Sequence, residues 1–283
     1  MSSDRGQQDS HPFANSGPSQ TLEMKRWLES VVIEIQTETV TLANGALQID
    51  AYLARPLNQG AWPAVIVFQE VFGVNDHIQA VTEQIAQLGY VAIAPALYQR
   101  QAPGFAVGYT PSDLEQGRLY KNQTTAVELF SDVQATLAYL KQRPEVKPLF
   151  GTIGFCFGGH VAYLAATLPE IKATASFYGA GIATMTPGGG TATLNLTPQI
   201  QGVVYAFFGD QDNLIPPEDV EHIQTALSTH AIQHQIFTYP ATHGFCCDQR
   251  ASYQPEAAAH AWQQVEQLFQ QVLADAVEDS HSP

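Results

Sequence analysis

Uninterrupted apolar runs alternate along this chain with stretches of helical periodicity. Residues 63–68, 90–95, 172–178 and 202–208 are almost continuously apolar, as expected of strands covered on both faces. A shorter run, Phe150 to Ile153, reads the same way. Ahead of them, residues 31–42 show partial alternation, Asn44-Gly45 is a hairpin-turn signal, and residues 46–54 alternate as a return strand. Residues 233–239 alternate as a last strand. Helical patterns cover 77–88 (stopped by Gly89), 112–143 (broken near Asn122 and closed by Pro144) and 160–166. Two more cover Pro216-Pro217 to about Thr229 and residues 255–274. Residues 99–109 and 184–198, rich in Gly, Pro and Thr, read as loops. Strands alternating with helices after one antiparallel pair predict a mostly parallel central sheet with helices on both faces, a three-layer α/β architecture. Nothing repeats and no linker divides residues 21–277, which are expected to form one domain. Residues 1–20 and 278–283 are polar and expected to be disordered tails, with Trp27–Val32 a short lead-in.

Composition narrows the function. The net charge of −15 and pI near 4.8 exclude nucleic acid and anionic membrane surfaces as expected partners, so an anionic substrate needs local positive charge. Three cysteines make no disulfide framework. No apolar run is long enough to span a bilayer, and residues 1–20 lack an apolar signal core, so a cytoplasmic protein is expected.

The most distinctive stretch is Gly154-Phe155-Cys156-Phe157-Gly158-Gly159, between a predicted strand and a predicted helix. It is G-x-C-x-G, the nucleophile elbow with sulfur in place of the serine oxygen. Such a turn strains the middle residue, and the glycines let neighbouring chain pass without a Cβ clash. The helix N-terminus favours a thiolate or an oxyanion at Cys156. A buried structural cysteine is the alternative reading. Three other polar residues follow predicted strands, where α/β sheets gather their functional groups: Glu70 after Phe68, Asp212 after Phe208, and His243 after Tyr239. Nucleophile, acid and base in that chain order suit a thiol activated by an imidazole that a carboxylate orients. Asp210 is a second possible acid, and Asp212 could equally serve the turn before Pro216.

With these residues in view, the chain resembles the dienelactone hydrolase (carboxymethylenebutenolidase) family of the α/β-hydrolase fold. The resemblance is carried by Gln69-Glu70-Val71-Phe72-Gly73, Leu97-Tyr98-Gln99-Arg100, the elbow, Phe177-Tyr178-Gly179, Gly209-Asp210-Gln211-Asp212 and His243-Gly244-Phe245. It implies a Cys156–His243–Asp212 triad, with Asp212 rather than Asp210 as the acid. It further implies that Glu70 hydrogen-bonds or deprotonates the thiol once substrate displaces it, and that the amides of Phe157 and Val71 form the oxyanion hole. No metal or organic cofactor is implied. Tyr98, Tyr178 and Phe245 would border the substrate. Of the family's two carboxylate-binding arginines, Arg100 matches one. The other falls at Cys247, leaving Arg250 as a substitute.

The activity implied is hydrolysis of a lactone or small ester through an acyl-thioester, by a monomer or weak homo-oligomer. Two rivals are a broader carboxylesterase or thioesterase using the same groups, and a non-catalytic scaffold with this fold. Cys246-Cys247 is too closely spaced for the usual metal or redox motifs and is read as packing beside the site.

Overall fold

The structure, a computed structural model, describes residues 33–274; the expected tails and the Trp27–Val32 lead-in lie outside them. Eight strands form one sheet: β1 (Ile35–Asn44), β2 (Leu47–Pro56), β3 (Trp62–Phe68), β4 (Val91–Pro95), β5 (Val146–Phe155), β6 (Ile171–Phe177), β7 (Val203–Gly209) and β8 (His234–Tyr239). Their order is β1-β2-β4-β3-β5-β6-β7-β8. The pairs β1/β2 and β2/β4 are antiparallel and every other pair is parallel.

Among the described residues, six α-helices flank the sheet: α1 (Asp76–Gln87), α2 (Pro111–Gln123), α3 (Ala126–Lys141), α4 (Phe157–Ala165), α5 (Pro217–Thr229) and α6 (Pro255–Phe269). Side-chain alternation along β3 divides the core into two layers. Val65 and Val67 face a cluster with Ile78 and Ile85 of α1 and Val265 and Leu268 of α6. Ala64, Ile66 and Phe68 face one with Leu129, Val133 and Leu137 of α3 and Val161 of α4. This is the α/β-hydrolase arrangement expected.

Local chemistry sets the element ends. Asn44 pairs with Leu47, so the first turn is centred on Gly45-Ala46, one residue later than the Asn44-Gly45 signal suggests. Gly45 adopts φ +62°, as the first position of a type II′ turn favours. The long helical stretch breaks at Thr124-Thr125, not at Asn122. Thr125 and Glu128 form a capping box that starts α3, and Thr110 and Asp113 form another that starts α2. Strand β5 is longer than its apolar centre predicts, because its first half carries Lys147 and Pro148. The loop expected over 184–198 contains a short helical turn, Thr193–Gln199.

Candidate active site

The elbow forms where β5 meets α4. Cys156 takes φ +56°, ψ −115°, a strained conformation for a residue with a Cβ. Its flanking glycines are required by contact: a Cβ on Gly154 would overlap the carbonyl of Gly158, and one on Gly158 would overlap that of Phe68. The Cys156 amide is occupied by Phe177 O at 3.0 Å, whereas among the described residues the amides of Phe157 and Val71 donate to no backbone carbonyl. Cys156 is half-buried and free.

His243 Nδ1 lies 2.7 Å from Asp212 Oδ2, and Asp212 Oδ1 accepts from Leu214 N at 2.8 Å. Asp212 is buried and Asp210 exposed, so it is Asp212 that reaches the imidazole. The other ring nitrogen, Nε2, is buried without a hydrogen-bond partner. Burial alone would lower the His243 pKa, but the Cys156 sulfur and the Asp212 carboxylate outweigh it and raise the value well above that of a free histidine. The Tyr178 ring packs edge-on against His243 at 5.1 Å, and Phe245 packs against Tyr178 at 5.2 Å.

Glu70 is 1% exposed. Its Oε1 accepts from Arg250 Nη1 at 3.0 Å, and Oε2 is buried with no partner. The Arg250 guanidinium stands 5.7 Å from both the Phe72 and Tyr109 ring centres. A cavity of about 350 Å³ opens above these groups, lined by Cys156, His243, Arg250, Phe157, Val71 and Phe72.

Four of the five expected substrate contacts do not line this cavity: Tyr178 and Phe245 are fully buried, packed on His243 and on each other, and Arg100 and Tyr98 lie elsewhere. Arg100 is not among the cavity-lining residues, because Asp132 holds its guanidinium through two bonds at 2.5 and 2.7 Å. That fork of bonds to a buried carboxylate commits Arg100 to the α3 face. Tyr98 is buried behind the elbow, stacked on Phe157 at 6.1 Å. Burial first, and then the Cys156 sulfur, push its hydroxyl pKa well above the usual value.

The basic residues that do line the cavity besides Arg250 are Arg118 and Lys121 of α2. Sequence reasoning passed over them. The signal was a Leu114, Arg118, Lys121 spacing that sets three side chains on one helix face.

Cys246 and Cys247 are both buried, and Cys247 Sγ donates to Tyr109 Oη at 3.3 Å. Through folding, Cys247 joins Asp248 and His77 from α1, with possible ligand atoms within 4.8 Å of one another. Three donors of these types could hold a zinc ion. The ion's absence from sequence motifs follows from His77 lying far away along the chain.

The model of the dienelactone hydrolase family matches residues 49–273, nearly the whole described chain. The chain belongs to the dienelactone hydrolase family. This is a family of hydrolases acting on ester bonds. A Synechocystis protein named "Putative carboxymethylenebutenolidase" is 56% identical over 245 residues, covering 86% of this chain and 100% of its own length. An Escherichia coli protein of the same name is 34% identical, covering 78% and 82% respectively. Among solved structures, a Klebsiella pneumoniae protein named "Putative Dienelactone Hydrolase" superposes with a TM-score of 0.76 at 30% identity, covering 84% of this chain and 99% of that one. Among the described residues, no helix of this dienelactone hydrolase family member is long and apolar enough to cross a membrane.

Proposed function

We propose that this protein hydrolyses lactones or small esters with Cys156 as nucleophile, His243 as base and Asp212 as the carboxylate that orients it. The observation that carries this reading is the imidazole of His243. Asp212 holds one ring nitrogen at 2.7 Å, while the other is buried and unpartnered in the cavity that Cys156 also lines. Asp212 keeps the proton on Nδ1, leaving Nε2 to exchange one with sulfur or water.

In the resting state Arg250 holds Glu70. A substrate anion competing for that guanidinium frees the carboxylate to take the thiol proton. The thiolate adds to the carbonyl carbon, and the oxyanion is met by the amides of Phe157 and Val71, each worth a few kcal/mol (about 3). The acyl C–O bond breaks, the leaving oxygen departs as an enolate or alkoxide, and an acyl-thioester remains. Water gives a proton to His243 and adds to the thioester. The C–S bond then breaks, the expelled sulfur recovers a proton from His243, and the departed enolate or alkoxide takes the one held by Glu70.

Cys156→Ala should abolish hydrolysis of both 4-nitrophenyl acetate and a dienelactone, and retained wild-type turnover rejects the assignment. The broader esterase or thioesterase reading draws on the withdrawal of Arg100 from the cavity, since the family's carboxylate clamp is then not built from its usual parts. A panel of charged and uncharged esters separates the two.

A further inference from the structure

We propose that His77, Cys247 and Asp248 form a binding site for a zinc ion, apart from the cavity that holds Cys156. Ligand atoms of the three side chains lie within 4.8 Å of one another. A thiolate and an imidazole beside one carboxylate select zinc over calcium or magnesium, which take oxygen ligands. The thiolate and the carboxylate also bring two negative charges to a divalent ion. A second observation points the same way. The His77 side chain is only 6% exposed, yet its Nε2 has no hydrogen-bond partner among the described residues. Its Nδ1 stands 3.9 Å from Asp248 Oδ1, beyond hydrogen-bond reach. Buried polar groups are as a rule hydrogen-bonded, so this imidazole has a ligand capacity that the protein's own packing leaves unused.

The fold brings these ligands together from two sides. His77 lies in the first turn of α1, which the Asn75 side chain caps by accepting from Ile78 N. Cys247 and Asp248 lie in the loop after β8, where Cys247 N donates to Gly244 O and Arg250 N to Cys247 O, each at 3.1 Å. His77 and Asp248 also line a second cavity of about 330 Å³, whose lining includes neither Cys156 nor His243. That cavity gives the ion a way in and leaves room for a water as fourth ligand. Tetrahedral zinc sets its donors roughly 3.4–3.6 Å apart, so no gap has to close by more than about 1.4 Å. The Asp248 side chain, 69% exposed, can swing that far at little cost. Cys247 is supported from behind. Its thiol donates to Tyr109 Oη at 3.3 Å, and Asn75 Nδ2 donates to the same hydroxyl at 3.2 Å. As the sulfur–zinc bond forms, the thiol proton passes to water and the Tyr109 hydroxyl turns to donate to the thiolate. An outer hydrogen bond of this kind orients a metal ligand.

Cys156 and His243 offer zinc another sulfur and imidazole, so the test uses the full chain carrying Cys156→Ala, stripped of metal. Cys246 and Cys247 are then its only thiols. Cobalt(II), a spectroscopic stand-in for zinc, should give a sulfur-to-cobalt charge-transfer band in the near ultraviolet that saturates at one equivalent, and one equivalent of zinc should bleach it. Adding Cys247→Ser should abolish the band. Adding His77→Gln or Asp248→Asn should weaken zinc binding at least about tenfold in competition with a chromophoric chelator. Asp248 is exposed, so that variant keeps the test decisive even where a buried substitution unfolds the protein. Absence of the band, or a band that survives Cys247→Ser, overturns the inference. So does a zinc affinity in Asp248→Asn within about twofold of the parent.

Discussion

Replacing Arg250 with glutamine strips a buried carboxylate of its counter-charge, and the cost follows from the local geometry. Glu70 is 1% exposed, one of its oxygens has only Arg250 Nη1 at 3.0 Å, and the other has no partner. Losing one member of a buried ion pair costs about 3–5 kcal/mol, because the survivor keeps its desolvation penalty. The guanidinium also leaves the faces of Phe72 and Tyr109, worth about 0.5–1 kcal/mol each. A loss of about 4–7 kcal/mol is therefore expected for Arg250→Gln. For Glu70→Gln it should be only about 1–2 kcal/mol, since the stranded group is then an arginine with a 21% exposed side chain and access to water. The double variant removes both charges and should recover about 2–3 kcal/mol relative to additivity. Urea unfolding of all four proteins measures this directly. Single losses that add to within about 0.5 kcal/mol, or an Arg250→Gln deficit below about 1 kcal/mol, would refute the reasoning.

Other outcomes follow from the same site. Asp212→Asn should lower kcat by about two to four orders of magnitude with a small change in Tm, because Nδ1 loses the acceptor that holds its tautomer. The acidic shift this causes in the His243 titration should be visible in the pH dependence of iodoacetamide alkylation of Cys156. Burial lowers the pKa of His160 to about 4, held between Ala180 O at 3.0 Å and Thr193 Oγ1 at 2.7 Å. The unfolded chain then binds a proton near pH 6.5 that the native protein refuses, so stability should fall by up to about 3 kcal/mol as pH drops from about 6.5 to 4. An NMR titration showing His160 charged at pH 6 would contradict this.

Much of the fold was legible because its signals are local. Apolar runs of strand length, the Gly89 stop after α1 and the proline at the start of α5 each act within a few residues. The elbow was legible for the same reason: strain at Cys156 and close approach at Gly154 and Gly158 are dictated by a strand turning straight into a helix. Boundaries were less so. The break between α2 and α3 lies at a threonine capping box, two to three residues beyond the polar run around Asn122.

The order of the chain alone placed Glu70, Cys156, Asp212 and His243 after β3, β5, β7 and β8, because residues at the ends of parallel strands converge whatever the loops do. It could not decide where long side chains end. Arg100 follows a strand end and matches a family position, yet Asp132, 32 residues further along, captures its guanidinium. Arg250 sits beyond a turn and was only a substitute, yet it reaches the buried Glu70, 180 positions before it. Arg118 and Lys121 carried no motif at all and face the cavity because Gly117 lets α2 settle on Val71. Backbone turns are settled by neighbours in sequence, whereas a flexible cation goes to whichever carboxylate or cavity folding brings within its reach, and only the tertiary structure determines which that is.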